Sequence, residues 1–217
     1  MQTIVPSAPI SMDGIASNAQ DGFMGGAQIG YNYQWSNSIL LGVEADIQGS
    51  NTRGASRTSG AVTHALTGVT IVGSTGIQGG VDYLGTVRGR IGYLWNPTLL
   101  LYGTGGFAYG GAFANVAQVA GAGDNSLWFG GGQRSQLLTG WTAGGGVEWM
   151  FMPNWSLKAE ALYWDLGRMN IETATFNPTI GGNSWGRSSV NYSGVTARAG
   201  INYHFTWGGS APVVAKY

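Results

Sequence analysis

Apolar and polar residues alternate with a period of two in seven segments, at about 21–34, 38–50, 81–95, 98–114, 138–151, 155–168 and 190–206, the spacing expected of strands with unlike faces. The 3.6-residue period of an amphipathic helix is missing from all of them. In Val81–Trp95 one face carries Tyr83, Gly85, Val87, Gly89, Ile91, Tyr93 and Trp95, and the other Thr86, Arg88, Arg90 and Gly92. In Ser38–Gln48, Ile39, Leu41, Val43, Ala45 and Ile47 oppose Gly42, Glu44, Asp46 and Gln48. Charge is thus confined to one face. The connections alternate as well: Trp35–Asn37, Asn96–Pro97 and Met152–Asn154 read as tight turns, whereas 51–80, 115–137 and 169–189 read as long loops rich in Gly, Ser, Thr and Asn. Short connections at one end and long ones at the other are the pattern of transmembrane barrels, with short periplasmic turns and longer extracellular loops.

Alternation alone does not say which face meets water, because a soluble barrel alternates too. Composition decides it. Ten Lys and Arg and ten Asp and Glu make 9% charge in 217 residues, where soluble proteins carry roughly 25%. The 39 glycines and 12% aromatics argue against helices, and there is no apolar run of about 18 residues that would make a membrane-spanning helix. A near-neutral mean hydropathy of +0.01 with so little charge therefore points to an apolar exterior, and only a closed barrel crosses lipid with strands. The aromatics agree. Phe23 and Tyr31, Tyr83 and Tyr93, Trp141 and Trp149, and Trp155 and Tyr163 pair on single faces, eight or ten residues apart, a gap of roughly 20–25 Å along the membrane normal for tilted strands. They predict two interfacial girdles. Polar-face glycines (Gly26, Gly30, Gly42, Gly92, Gly144, Gly146, Gly200) suit a crowded interior.

The expected fold is all-β: an antiparallel up-and-down transmembrane barrel of the eight-stranded type, with seven strands visible. Its inward charges are Glu44, Asp46, Arg88, Arg90, Glu148, Lys158, Glu160 and Arg198, four acids and four bases. An eight-stranded barrel is just wide enough for side chains to fill, so these charges must pair or forfeit several kcal/mol each. Counting from the turns puts Glu148 opposite Lys158, through a three-residue turn that pairs Phe151 with Trp155. It also puts Glu44 near Arg90 and Asp46 near Arg88, all as cross-strand ion pairs.

Other chemistry has little material. Without cysteine there is no thiolate nucleophile or zinc-thiolate site, and two separated histidines, His64 and His204, make no metal cluster. Neither histidine has a Ser or acid partner at an obvious spacing for hydrolysis. Glu148 and Glu160 as general acid and base, or the interior as a selective pore, require space and an uncompensated field that a self-neutralised interior lacks. Gly103–Gly106 and Gly144–Gly146 are strand glycines, since no helix follows either to hold phosphate. Zero net charge removes general nucleic-acid binding, and no cofactor is expected.

Seven segments together resemble a known family: Gly22-Phe-Met-Gly-Gly-Ala-Gln-Ile-Gly-Tyr-Asn-Tyr, Gly42-Val-Glu-Ala-Asp-Ile-Gln, Gly85-Thr-Val-Arg-Gly-Arg-Ile-Gly-Tyr, Leu101-Tyr-Gly-Thr-Gly-Gly-Phe-Ala-Tyr, Gly140-Trp-Thr-Ala-Gly-Gly-Gly-Val-Glu-Trp, Asn154-Trp-Ser-Leu-Lys-Ala-Glu-Ala-Leu-Tyr and Arg198-Ala-Gly-Ile-Asn-Tyr-His-Phe. Their order is that of the alphaproteobacterial outer-membrane immunogenic proteins, across residues 21–206. The resemblance implies an eight-stranded barrel similar to OmpA or the opacity proteins. Members begin with a signal peptide and an aromatic, Gly-rich first strand, and neither is visible here. Residues 1–20 therefore read as an extracellular loop or disordered segment after a strand lost to truncation or a misplaced start. In that case residues 22–34 and 195–205 would form an open seam, and the chain alone would fold poorly. The tail 207–217 ends on Tyr217, a candidate terminal aromatic for the barrel-assembly machinery.

The expectation is an integral protein of the bacterial outer membrane with a structural, surface-exposed role in envelope integrity and as a surface antigen. Outer-membrane lipid and lipopolysaccharide are its surroundings, and the ligand of its loops is unknown. The rival readings are a small-solute porin and a lipid-modifying enzyme that uses loop residues such as His64.

Overall fold

A computed structural model of the chain describes residues 22–63, 70–122, 127–178 and 182–205. The segments 1–20 and 207–217 and the residue His64 lie outside them. The described chain is one antiparallel sheet in simple up-and-down order: β1 (Met24–Gln34), β2 (Ile39–Thr63), β3 (Thr70–Asn96), β4 (Leu99–Ala122), β5 (Leu127–Met152), β6 (Trp155–Asn177) and β7 (Gly182–Tyr203). The sheet curls but does not close. Its edges, β1 and β7, both run toward the short-turn end, and across the seam Gln28 Nε2 donates to Asn202 Oδ1 at 2.6 Å.

The strands are far longer than the alternating segments. Within the stretches 51–80, 115–137 and 169–189, expected as loops, the described residues are instead mostly ladder: Arg53 through Thr63 pairs with Gly80 through Thr70, and Gly111 through Gly121 pairs with Leu137 through Leu127. Composition misled here because the polarity of the two faces reverses partway up the sheet, most clearly on β6. On β6 the buried face runs Ser156, Lys158, Glu160 and then Leu162, Trp164, Leu166, Met169, Ile171. The outer face of β6 runs Leu157, Ala159, Ala161, Tyr163 and then Arg168, Asn170, Glu172, all exposed. The lower half is patterned for lipid outside, the upper half for water outside, as the two solvents demand.

Bulges punctuate the change. Register slips between Gly49 and Thr52 on β2, Val81 and Tyr83 on β3, and Asp165 and Arg168 on β6, where Gly167 takes φ +80° and its N–H is held by Asp165 Oδ1 at 2.8 Å. Extra residues of this kind bend a strand and strengthen its twist. At the other end Pro153 and Asn154, the latter at φ 65°, form a two-residue turn with Met152 opposite Trp155 and Phe151 extruded. The three-residue turn expected there is corrected. The register above it is nonetheless the expected one, with Glu148 opposite Lys158.

Candidate functional site

All eight expected charges sit on the concave face in the lower half of the sheet, seven of them buried and Arg198 partly so. Strand pairing sets their level. Glu44 lies directly opposite Arg88, not Arg90, and Asp46 opposite Thr86, because the stagger between β2 and β3 differs by two residues from the turn count. The side chains then reach diagonally, so the expected ion pairs of Glu44 with Arg90 and of Asp46 with Arg88 both form. Arg88 bridges Asp46 Oδ2 at 2.9 Å, Glu160 Oε2 at 3.1 Å and Glu44 Oε2 at 3.2 Å. Arg90 takes Glu44 Oε1 at 2.7 Å and Glu148 Oε2, stacking 3.9 Å over the Tyr102 ring. Arg198 joins Asp46 at 3.0 Å and Glu160 at 2.5 Å.

The expected Glu148–Lys158 ion pair is not formed. Although opposed in register, Lys158 Nζ turns to Glu44 Oε2 at 2.8 Å and Glu160 Oε2 at 3.4 Å, and Glu148 turns to Arg90 and the sheet floor. A flexible ammonium and a carboxylate can each satisfy more partners at the centre than across one rung. The result is a single network rather than a set of rungs.

Neutral residues complete it. Tyr102 donates its hydroxyl to Glu160 Oε2 at 2.9 Å, Thr86 to Asp46 Oδ2 at 2.7 Å, and Gln48 Nε2 to Asp46 Oδ1 at 2.9 Å. Glu148 Oε1 accepts from Ser156 Oγ at 2.6 Å and Asn202 Nδ2 at 2.9 Å. Sequence reasoning placed Thr86 and Gln48 on the charged face and left Tyr102, Ser156 and Asn202 unassigned, yet each occupies an inward position of the two-residue period.

His204 departs from its expected isolation. Its Nε2 lies 2.8 Å from Ser156 Oγ and 3.3 Å from Glu148 Oε1. Ser, His and Glu together invite a hydrolytic comparison. A catalytic acid, however, orients the imidazole through the ring nitrogen that the nucleophile does not use, and here both partners converge on Nε2. The trio ties the end of β7 to the sheet floor. Glu148 and Glu160, the other candidate acid–base pair, are both engaged by cations.

Above this layer lies a second that the alternation did not foretell. Val81, Leu84, Ala108, Ala112, Leu138, Trp164, Leu166, Met169, Ile171 and Tyr192 are buried together on the concave face. Tyr192 crosses the interior from β7 and donates to the Phe113 carbonyl of β4 at 2.7 Å. A Cβ on Gly110 of β4 would stand 3.1 Å from Leu166 Cδ1 of β6, so residues two strands apart meet over the concave face. Charge fills the lower interior and hydrocarbon the upper.

Outside, the eight expected interface aromatics are all exposed, from Tyr83 at 37% to Phe23 at 87%. Trp141 packs on Tyr163 at one level and Trp155 on Tyr203 at the other, with ring centroids 5.3 and 5.1 Å apart. Between the two levels Ile29, Val43, Ile47, Val87 and Ile91 face outward.

An up-and-down sheet with a charged interior and an apolar wall bounded by aromatics defines an outer-membrane β-barrel. The chain belongs to the outer membrane protein beta-barrel domain family, whose model matches residues 7–205, and its place is the bacterial outer membrane. It is 37% identical over 192 residues to the 31 kDa outer-membrane immunogenic proteins of Brucella melitensis and Brucella suis, an alignment covering 85% of this chain and 67% of each relative. It is 33% identical over 144 residues to the 22 kDa outer membrane protein of Rhizobium leguminosarum bv. viciae, covering 66% of this chain and 53% of that one. No solved structure matches the chain.

Proposed function

We propose that this protein is a non-conducting structural barrel that stabilises the envelope and presents its strand extensions at the cell surface as an antigen. The observation that carries the reading is the two-layer filling of the interior. A solute path would have to part the ion network around Arg88, with its side chain 0% exposed, and then the apolar layer braced by Tyr192. Opening the first leaves buried charges without partners, at a cost of about 3–5 kcal/mol per broken pair. Opening the second exposes hydrocarbon to water. The reading assigns the protein no reaction. Its girdles meet membrane lipid and lipopolysaccharide, and the barrel-assembly machinery inserts it. The Brucella relatives, named as immunogenic, support a surface-exposed role.

Planar-bilayer recording tests the reading. Reconstituted protein should give no steady single-channel steps at moderate salt, and reproducible porin-sized steps would replace this reading with that of a small-solute pore.

A further inference from the structure

Two features of the outer wall, unused so far, lie on the same side of the molecule. In the membrane band Gly103, Gly145, Ala161 and Ala197 stand directly opposite one another across β4, β5, β6 and β7. A shallow groove follows this line, lined in part by Gly145, Ala159, Ala161, Ala197 and Ala199. The wall of β1 to β3 is bulky at the same depth, with Ile29, Tyr31, Val43, Ile47 and Val87 projecting.

The second feature stands high above the membrane. Beyond Trp141 and Tyr163 the outward positions become mostly polar: Leu137 is still exposed, but Gln133, Ser135, Asn170, Ser189 and Asn191 are exposed with it. Higher still they become apolar again. Val119, Phe129 and Phe176 are directly opposite one another across β4, β5 and β6, and with Leu127 and Trp185 they are 44–75% exposed. Phe129 is 12 residues up the strand from Trp141, about 30 Å along the membrane normal at ~3.3 Å per residue and a tilt near 40°. Lipid does not reach that height, and an exposed apolar patch of this kind marks a contact surface. In the polar collar beneath it, Glu172 and Arg187 face outward 4.0 Å apart with their side chains 78% and 70% exposed.

We propose that this β4–β7 wall packs against a second copy of the chain, about a two-fold axis along the membrane normal. Every copy enters the membrane in one orientation, so the smooth waist and the apolar crown of neighbours stand at equal heights. Small residues let two walls approach closely in lipid, where packing rather than the hydrophobic effect drives association. A two-fold contact is self-complementary, with residue i meeting j and j meeting i. A face holding both Glu172 and Arg187 therefore offers two reciprocal ion pairs across the axis. The inference needs the membrane orientation and is independent of whether the interior conducts.

The full chain refolded in detergent should show a concentration-dependent dimer by sedimentation equilibrium. Glu172→Arg and Arg187→Glu should each lower the dimer fraction several-fold, and mixing the two variants should restore it, because a heterodimer recovers both reciprocal pairs. Pairing within one chain would not respond to mixing. Ala161→Trp should reduce dimerisation while Val87→Trp, on the bulky wall, leaves it unchanged, with heat-modifiable gel migration confirming that each variant folds. The native sequence has no cysteine, so Ala197→Cys and Val87→Cys report contacts in intact outer membranes: the first should form a disulfide dimer and the second should not. The proposal is overturned by a protein that is monomeric in detergent and uncrosslinked in membranes, by failure of the mixed variants to rescue, or by equal effects on the two walls.

Discussion

Arg88 shows at the scale of one residue what holds the interior together. It is fully buried and touches three carboxylates, and such a charge contributes less by attraction than its absence costs, since the carboxylates left behind cannot be rehydrated. Arg88→Ala is expected to destabilise the folded protein by about 3–5 kcal/mol. Arg53→Ala, which removes a half-exposed partner of Asp82 on the outer wall, should cost about 0–1 kcal/mol. Urea unfolding in detergent with unchanged denaturant dependence measures both, and comparable losses would mean that the network does not act as a buried unit. The inward side of each charge was legible in the sequence, because a two-residue period assigns a face without any knowledge of neighbours. Two of the three expected partnerships form, Arg90 with Glu44 and Arg88 with Asp46, but the third does not. Lys158 and Glu148 share a rung and still choose others, because long side chains in a narrow interior reach several strands and the stagger between strands depends on bulges that no local pattern announces.

Among the elements, the upper halves of the strands carry the main surprise. Val116, Met169 and Ile171 face inward and are buried, yet in the sequence they fall within 115–137 and 169–189, stretches that read as loop. Period-two alternation persists there with its sign reversed, apolar inward and polar outward, so a search for lipid-facing strands passes over it. The lower halves were legible because their pattern obeys one solvent throughout. The upper ladder of β4 and β5 extends a sheet whose seven strands are already paired in order below it. Replacing residues 117–131 by an Asn-Gly turn between Val116 and Gly132, which are paired, keeps the registered rungs from Leu99 to Val116 and supplies the turn type favoured for two-residue hairpins. The shortened protein should match the full-length chain in heat-modifiable migration and protease resistance. It should also lose the dimer, since Val119, Leu127 and Phe129 leave with the hairpin. A shortened protein that never becomes heat-modifiable would show that the extensions are needed for insertion.

For the whole molecule, the proposed non-conducting reading makes the two unlike layers seals in series, so that damage to one does not make a channel. Trp164→Ala with Leu166→Ala loosens the upper layer and leaves the ion network beneath it, and Arg90→Ala does the reverse, so each variant should stay silent in planar bilayers. Combined, the three substitutions should give conductance steps, and steps from either variant alone would place the barrier in a single layer. The outward patterning of the chain was readable from composition. The upper seal was not, because it is made by ordinary core residues with no chemistry to mark them.

The direction of the two sheet edges carries one more consequence. β1 and β7 descend together, so between them only an odd number of alternating strands can be laid. The same parity governs neighbours. Copies inserted with a common orientation bring edge to edge strands that all descend, whichever edges meet, and up-and-down barrels in this membrane are joined antiparallel. Among the described strands, direct addition of one molecule's edge to the next is thereby closed off, and a fused larger ring cannot grow from repeats of those seven. What copies of this protein can share in the plane of the membrane is wall against wall.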